Sequence, residues 1–463
     1  MTTITERPPV RGAPPDGDPD GDPGGRDERP GPLRNRWRPE AVLLSLGIAS
    51  LPMLMPAGLP PGPGNTGLPD LMLVVLTVTT LLWAGTRKLP VRWPFLLPTL
   101  LTIIAGGIAA YVNQAGLLTL AKDLFVLFWG VCVANLSRDP RLLRVAFRSF
   151  IGFGTLYAIV MIAGFVLGID AMSGKQPDGM RAMFTFGDAN YASNWFICVF
   201  FIVRATRTPR TPWKRYAVLG ILLVAELLTG SNGGLLSLLV ALVLGHLFRL
   251  FREGRAYRAI ATACLAGVVA GGGVTIVTTV DVQPYLDRVS SLHPVLRDSI
   301  GRTTGESTES RSTVFATTAD MIAEQPHPWG IGPGETRNAM MARQETYIRE
   351  AHNDYIASTL ERGFLGGVAL VALVFALLLN CARIARRGAL TGEYARIVPR
   401  PEMFGALIAV FLISGLFYET LHYRHGWAIF GLIAALHLFG RRGSTDRPVG
   451  GTEAGGGRTG GGR

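Results

Sequence analysis

Runs of apolar residues long enough to cross a bilayer recur along the whole chain, and no other feature restricts its fold as tightly. They lie near 41–58, 70–85, 94–112, 115–136, 145–168, 190–203, 216–230, 233–250, 258–280, 355–381, 403–421 and 426–440, about twelve in all. Of the 463 residues, 48% are hydrophobic and only 17% charged, too little charge to cover a soluble domain of this size. The expected fold class is all-α: a polytopic membrane bundle of about twelve transmembrane helices. The runs at 190–203 and 426–440 are short enough to be tilted, re-entrant or differently bounded. Pro52 and Pro56 predict a kink near the end of the first run.

Basic residues orient these spans. Arg34, Arg36 and Arg38 precede the first, and Arg87, Lys88 and Arg92 follow the second. Arg138, Arg141, Arg144 and Arg148 follow the fourth; Arg204, Arg207, Arg210, Lys214 and Arg215 follow the sixth. Arg249, Arg252, Arg255 and Arg258 follow the eighth, Arg383, Arg386, Arg387, Arg396 and Arg400 the tenth, and Arg441 and Arg442 the last. The alternate loops at 59–69 and 112–114 carry no basic residue. Short basic loops stay inside the cell, which predicts a multi-pass plasma-membrane protein with both termini cytoplasmic. The net charge of +12 then belongs to loops beside anionic headgroups and is no sign of nucleic-acid binding. Cys132, Cys198, Cys264 and Cys381 fall in or beside spans, so no disulfide or cysteine metal framework is expected.

Residues 1–40 read as a Pro-, Gly- and Asp-rich cytoplasmic tail expected to be disordered, without a signal-peptide core, so that the first span directs insertion. Residues 41–280 hold spans one to nine, with an external loop at 169–189. Residues 281–351 form a large external loop before the tenth span, 352–442 hold spans ten to twelve, and 443–463 are a Gly-rich disordered cytoplasmic tail. There is no repeat of fixed period, and no pair of interrupted helices of the kind found in inverted-repeat transporters.

Loops as long as 281–351 are uncommon unless they are functional. This one has amphipathic helical potential at 313–324 and a turn at 326–334 where Gly and Pro set the backbone. The shorter loop ends in Arg181-Ala182-Met183-Phe184-Thr185-Phe186-Gly187-Asp188-Ala189-Asn190, with Asp188 or Asn190 able to cap the next helix. Arg181 and Arg311 are the external arginines in position to bind phosphate, a task suited to the planar guanidinium fork.

His352 heads the run His352-Asn353-Asp354-Tyr355 at the mouth of the tenth span, where ionisable groups are costly and kept mostly for function. A lone histidine there is most often bonded to nearby backbone. Here Asn353 and Asp354 flank it, and Tyr355 and Thr359 fall on its helical face at three- to four-residue spacing. Glu361 and Arg362, roughly 13 Å further at 1.5 Å per residue, are expected to bond a neighbouring span or screen each other. Glu226, Lys122 and Asp123 read as interhelical polar contacts, and Glu419 is a further charge in an apolar run. The turn His422-Tyr423-Arg424-His425 lies near enough in depth to join the site. His352 is the catalytic candidate, because an imidazole can take a hydroxyl proton near neutral pH. Arg181, Arg311, Asn190, Asn353, Tyr355 and Arg424 are the substrate-binding candidates, with no metal site.

His352-Asn353-Asp354-Tyr355 followed by Glu361, Gly363 and Gly366 resembles the C-terminal signature of the O-antigen ligase and polymerase family of bacterial membrane glycosyltransferases. The segment Arg181 to Ala192 is similar to that family's Arg-containing helix start, Leu228-Thr229-Gly230-Ser231-Asn232-Gly233 to its Thr-x-Ser-Arg-Gly turn, and Trp329-Gly330-Ile331-Gly332-Pro333-Gly334 to its Gly-rich loop turn. Asn232 stands where the family often has Arg. The resemblance implies a polyprenyl-pyrophosphate-linked glycan donor, a glycan or cell-envelope acceptor, membrane lipids as surroundings, and no cofactor or metal requirement. It also implies Arg181 and Arg311 as pyrophosphate binders and His352 as the activating group.

Outside the cell no nucleotide sugars are available, so a donor arrives pre-activated on lipid. Its pyrophosphate leaving group calls for cationic donors in a partly water-excluded site. A transporter or flippase of lipid-linked glycan would instead want ionisable groups along a midplane pathway, whereas the candidates here gather at one face. A metal-dependent glycosyltransferase with an acidic pair in the first external loop is disfavoured, because 57–69 contain no Asp or Glu and Asp70 stands alone at the helix start.

Overall fold

Short polar residues open the helices that matter here, and each does so by taking up backbone N–H groups that have no partner within the first turn. Asp139 accepts from Arg141 N ahead of α5 (Pro140–Leu167), which Gly168 ends in the left-handed conformation. Asp188 caps α7 (Ala189–Thr206), accepting from Asn190 N and Tyr191 N, one of the two caps read from the sequence. Ser231 caps α9 (Asn232–Arg252), and Asn353 caps α14 (Asp354–Ala385).

The computed structural model describes residues 38–54, 67–175, 181–279, 283–291, 297–298, 300–301, 306–325, 328–348 and 350–441, with the side chains of 271–279 and 306–311 outside that description. The remaining helices in chain order are α1 (Pro39–Ser50), α2 (Leu68–Thr86), α3 (Leu96–Asn113), α4 (Leu117–Leu136), α6 (Asp170–Ser173), α8 (Pro212–Thr229), α10 (Ala256–Thr279), α11 (Gln283–Ser290), α12 (Glu306–Ala323), α13 (Thr336–Ala342), α15 (Gly392–Ile397), α16 (Met403–Ser414) and α17 (Arg424–Phe439). The fold is an all-α polytopic bundle. Among the described residues, α2, α3, α4, α5, α9 and α14 are long and apolar enough to cross a membrane, while α1, α16 and the first part of α10 are shorter apolar helices. Leu71, Leu82, Leu97, Val166 and Phe375 point outward from the bundle, as lipid-facing side chains do.

Several span boundaries differ from the sequence reading. α1 stops at Ser50, so Pro52 ends the helix rather than kinking it. A proline withholds its N–H and disfavours helical geometry in the residue before it. The run at 190–203 is differently bounded, belonging to an 18-residue helix buried along nearly its whole length. The run at 403–421 is helical only to Ser414 and continues as a folded connector to a 3-10 turn, Thr420–His422. The run at 355–381 is two helices, because Gly363 breaks α14 with φ 66° and ψ −169°. Residues 364–385 then make a helix of roughly 33 Å, matching the ~30 Å hydrocarbon core.

The two ends of the bundle differ in chemistry. At one end the basic loops bind acidic and backbone partners: Arg87 to Glu40, Arg144 to Glu393, Arg252 to Glu402, and Tyr394 Oη to the Arg138 carbonyl. At the other end lie the first turns of α2, α4, α7, α9, α14 and α17. Further along the bundle, α4 and α17 pack closely through glycine, since a Cβ on Gly431 would stand 2.5 Å from the Gly130 carbonyl. Small residues of this kind let spanning helices approach backbone to backbone, and the contact sets α17 and its preceding turn against the wall that carries Asp123.

Candidate active site

The α3, α4 and α14 helices and the turn before α17 line a narrow, open-mouthed cavity. Asp123, Asp354, Glu361, Arg362, Glu419 and His422 line one part of it. Ile103, Leu124, Leu127, Leu370 and Leu373 continue the wall as an apolar groove, with Trp427 beside it. The Arg362 guanidinium, 7% exposed, pairs with the Asp123 carboxylate. His422 lies between two acids, its Nδ1 3.3 Å from Asp123 and its Nε2 3.2 Å from Glu419.

Both ring nitrogens of His422 can donate only if the ring is an imidazolium. Desolvation opposes that cation, but hydrogen bonds to Asp123 and Glu419 outweigh it and hold the His422 pKa well above the ordinary histidine value. A raised folded pKa gives stability that is complete below the unfolded value of ~6.5 and lost as pH rises through the folded value. Melting temperatures of wild type and His422→Gln should therefore converge as pH is raised from about 6 to about 9. A gap that widens toward alkaline pH would reverse the assignment.

His352 stands just before the cap of α14 with φ +48°, so it is outside the helix and shares no helical face with Tyr355 and Thr359. That corrects the spacing argument for these residues. The ring is half-buried, forms no hydrogen bond among the described residues, and lies close enough to Glu419 to act on it electrostatically. The other residues at this mouth hold structure. Asn353 accepts from Tyr355 N and Ile356 N and donates to the Leu416 carbonyl. Tyr355 Oη donates to the Leu412 carbonyl. Asp354 accepts from Thr420 N at 2.9 Å, Thr420 Oγ1 and Leu421 N. Asn353 and Tyr355, expected as substrate binders, thus fix the connector 412–421, which carries Glu419 and His422 to the cavity.

On the far side of that connector, Tyr418 packs against the backbone of Gly233. Beyond it lies a second cluster. Arg181 donates from Nε to the Thr229 carbonyl at 2.9 Å and from Nη2 to Asn190 Oδ1 at 2.7 Å. Asn190 Oδ1 also accepts from Ser231 Oγ. Asn190 therefore orients Arg181, whose Nη1 edge takes no partner among the described residues. Below them Glu226 accepts from Ser193 Oγ at 2.7 Å, the interhelical contact expected of it. Arg424, another expected substrate binder, bonds Asp70 through two bonds of 2.8 Å. Asp70 also accepts from Gly67 N. The Arg311 side chain, like Pro326 and His327, lies outside what is described; its helix, α12, covers the amphipathic stretch read at 313–324.

The Gly-rich turn of the large loop meets α14 at its break. Phe364 N donates to the Pro328 carbonyl, Ile331 N to the Leu360 carbonyl and Gly332 N to the Glu361 carbonyl, each at 3.0 Å. The break frees carbonyls that the helix would otherwise use, and the turn takes them. Gly363 permits it, since a Cβ there would fall 1.9 Å from the Pro328 carbonyl at a backbone conformation reserved for glycine.

Sequence reading found His352, His422 and the intramembrane charges but not their pairing. Asp123 and Arg362 are the principal omissions from the expected site, and their signal was charge inside apolar runs. Residues 217–371, from α8 into α14, match the family model described as O-antigen ligase, which bears out the resemblance drawn from the sequence. No curated protein matches the chain.

Proposed function

Taking the O-antigen ligase domain at 217–371 as premise, we propose that this protein is a metal-independent membrane glycosyltransferase. It moves a glycan from a polyprenyl-pyrophosphate donor onto a hydroxyl of a glycan or other cell-envelope acceptor at the external membrane face. The observation that carries this reading is the cavity where His422, Asp123, Arg362 and Glu419 adjoin an apolar groove, with His352 close by. A substrate with a polar head and a long lipid tail fits such a surface, because head and tail find matching surroundings at one depth.

In the reaction, His352 takes the proton of the acceptor hydroxyl as its oxygen bonds to the anomeric carbon. The bond from that carbon to the pyrophosphate oxygen breaks, and both electrons leave with the lipid pyrophosphate. By the family resemblance Arg181 and Arg311 hold the charge of that leaving group, Arg181 reaching it from the cluster across the 412–421 connector.

Transfer from a purified polyprenyl-pyrophosphate glycan should survive EDTA, and loss that Mg²⁺ or Mn²⁺ restores would reject a metal-free site. Arg181→Lys should transfer poorly, since an ammonium cannot keep the bonds to Thr229 and Asn190 and still present a planar edge; wild-type rates in that variant would remove Arg181 from the site. Cells lacking the protein should accumulate lipid-linked intermediates: single repeat units if it polymerises, long lipid-linked chains if it ligates. A normal profile would argue against either activity. The external placing of the site requires both termini to be cytoplasmic, so cysteines placed at Thr208 or Gly392 should resist membrane-impermeant reagents in intact cells. Labelling at either position would invert the orientation.

A further inference from the structure

Glu361 and Arg362 are neighbours in sequence but serve different partners. Arg362 turns into the cavity to pair with Asp123. The Glu361 carboxylate, which also lines the cavity, holds the large loop: Oε2 accepts from Gly334 N and Oε1 from Thr336 Oγ1, both at 2.8 Å. The Glu361 side chain is 5% exposed, so these bonds form where water competes little. Gln325 Nε2 donates to the Leu360 carbonyl, and Asn113 Nδ2, at the end of α3, to the Gly330 carbonyl. A small apolar core of Val314 and Met321 on α12, Met340 on α13 and Leu360 on α14 closes the same contact.

The seated segment lies between the helix that carries Arg311 and the stretch that ends at His352. Its seat on α14 is thus one tie on the loop that ends at His352, beside the Asn353 cap. We infer that Glu361 is a positioning residue, anchoring the Gly332–Thr336 turn in the break of α14 so that the large loop presents His352 to the cavity. This rests on the reading of His352 given above.

Glutamine at 361 can still accept from Gly334 N through its amide oxygen and donate to Thr336 Oγ1, whereas alanine can do neither. Glu361→Gln should keep most of the wild-type kcat. Glu361→Ala should lose kcat by more than about 10-fold with donor KM nearly unchanged, on the scale that ~1.4 kcal/mol is a factor of ten. Limited trypsin digestion of the full-length protein in detergent should cut Glu361→Ala several-fold faster at Arg337 and Arg343, with glutamine close to wild type. Thr336→Val removes one anchor bond and should fall between, which keeps the test decisive if the alanine protein does not fold.

Wild-type kcat and protection in both Glu361→Ala and Thr336→Val would overturn the inference. So would a glutamine variant as inactive as alanine with its loop fully protected, since the carboxylate would then act on substrate itself. Because protection is read without any glycan, loss of protection in a protein that never transfers glycan would uphold the anchor and reject the proposed function instead.

Discussion

His352→Ala is expected to lower turnover by roughly 10²–10⁴ while the melting temperature and donor binding stay close to wild type. The side chain forms no hydrogen bond among the described residues and is only half-buried, so its removal takes little from the packing. Its left-handed φ of +48° costs on the order of 1 kcal/mol for a residue with a Cβ, and strain of that kind gathers at functional positions. Donor charge is held elsewhere, so the loss should fall on kcat rather than on donor affinity. If His352 were only structural, expression and melting would fall along with activity. A variant that melts normally and still transfers near the wild-type rate would remove it from the mechanism.

The second large effect is expected at the Asp123–Arg362 pair. Arg362 is 7% exposed and Asp123 20%. Removing one partner of so enclosed a pair leaves the other charge poorly solvated, at a cost of about 3–5 kcal/mol. Arg362→Met should fall toward the low end, because Asp123 keeps His422. Asp123→Leu should cost more, because it leaves Arg362 and His422 as facing cations. The double variant should be more stable than the sum of the single losses predicts, since neither charge is stranded and the wall becomes continuous with the apolar groove. Melting and denaturant midpoints of the four proteins give the coupling. Strict additivity would mean that the two residues do not interact.

Local physics made much of the architecture legible. Apolar runs marked the helices, Asp188 marked the start of α7, the stretch at 313–324 gave α12, and His352 and His422 were recognised at the ends of spans. The boundaries of α14 and α16 were not legible, because hydropathy continues through a glycine break or a folded connector as readily as through a helix.

The assignment of partners was decided by tertiary structure. Asn353, Tyr355, Asn190 and Arg424, read from the sequence as substrate binders, also bond the 412–421 connector, Arg181 and Asp70. Arg362 and Asp123 stand 239 residues apart in sequence. A sequence shows that an apolar run contains a charge and that the charge needs a counterpart. Which counterpart it meets depends on the packing of α3, α4, α14 and α17 and on the break at Gly363, beside which Glu361 bonds the large loop and Arg362 bonds Asp123.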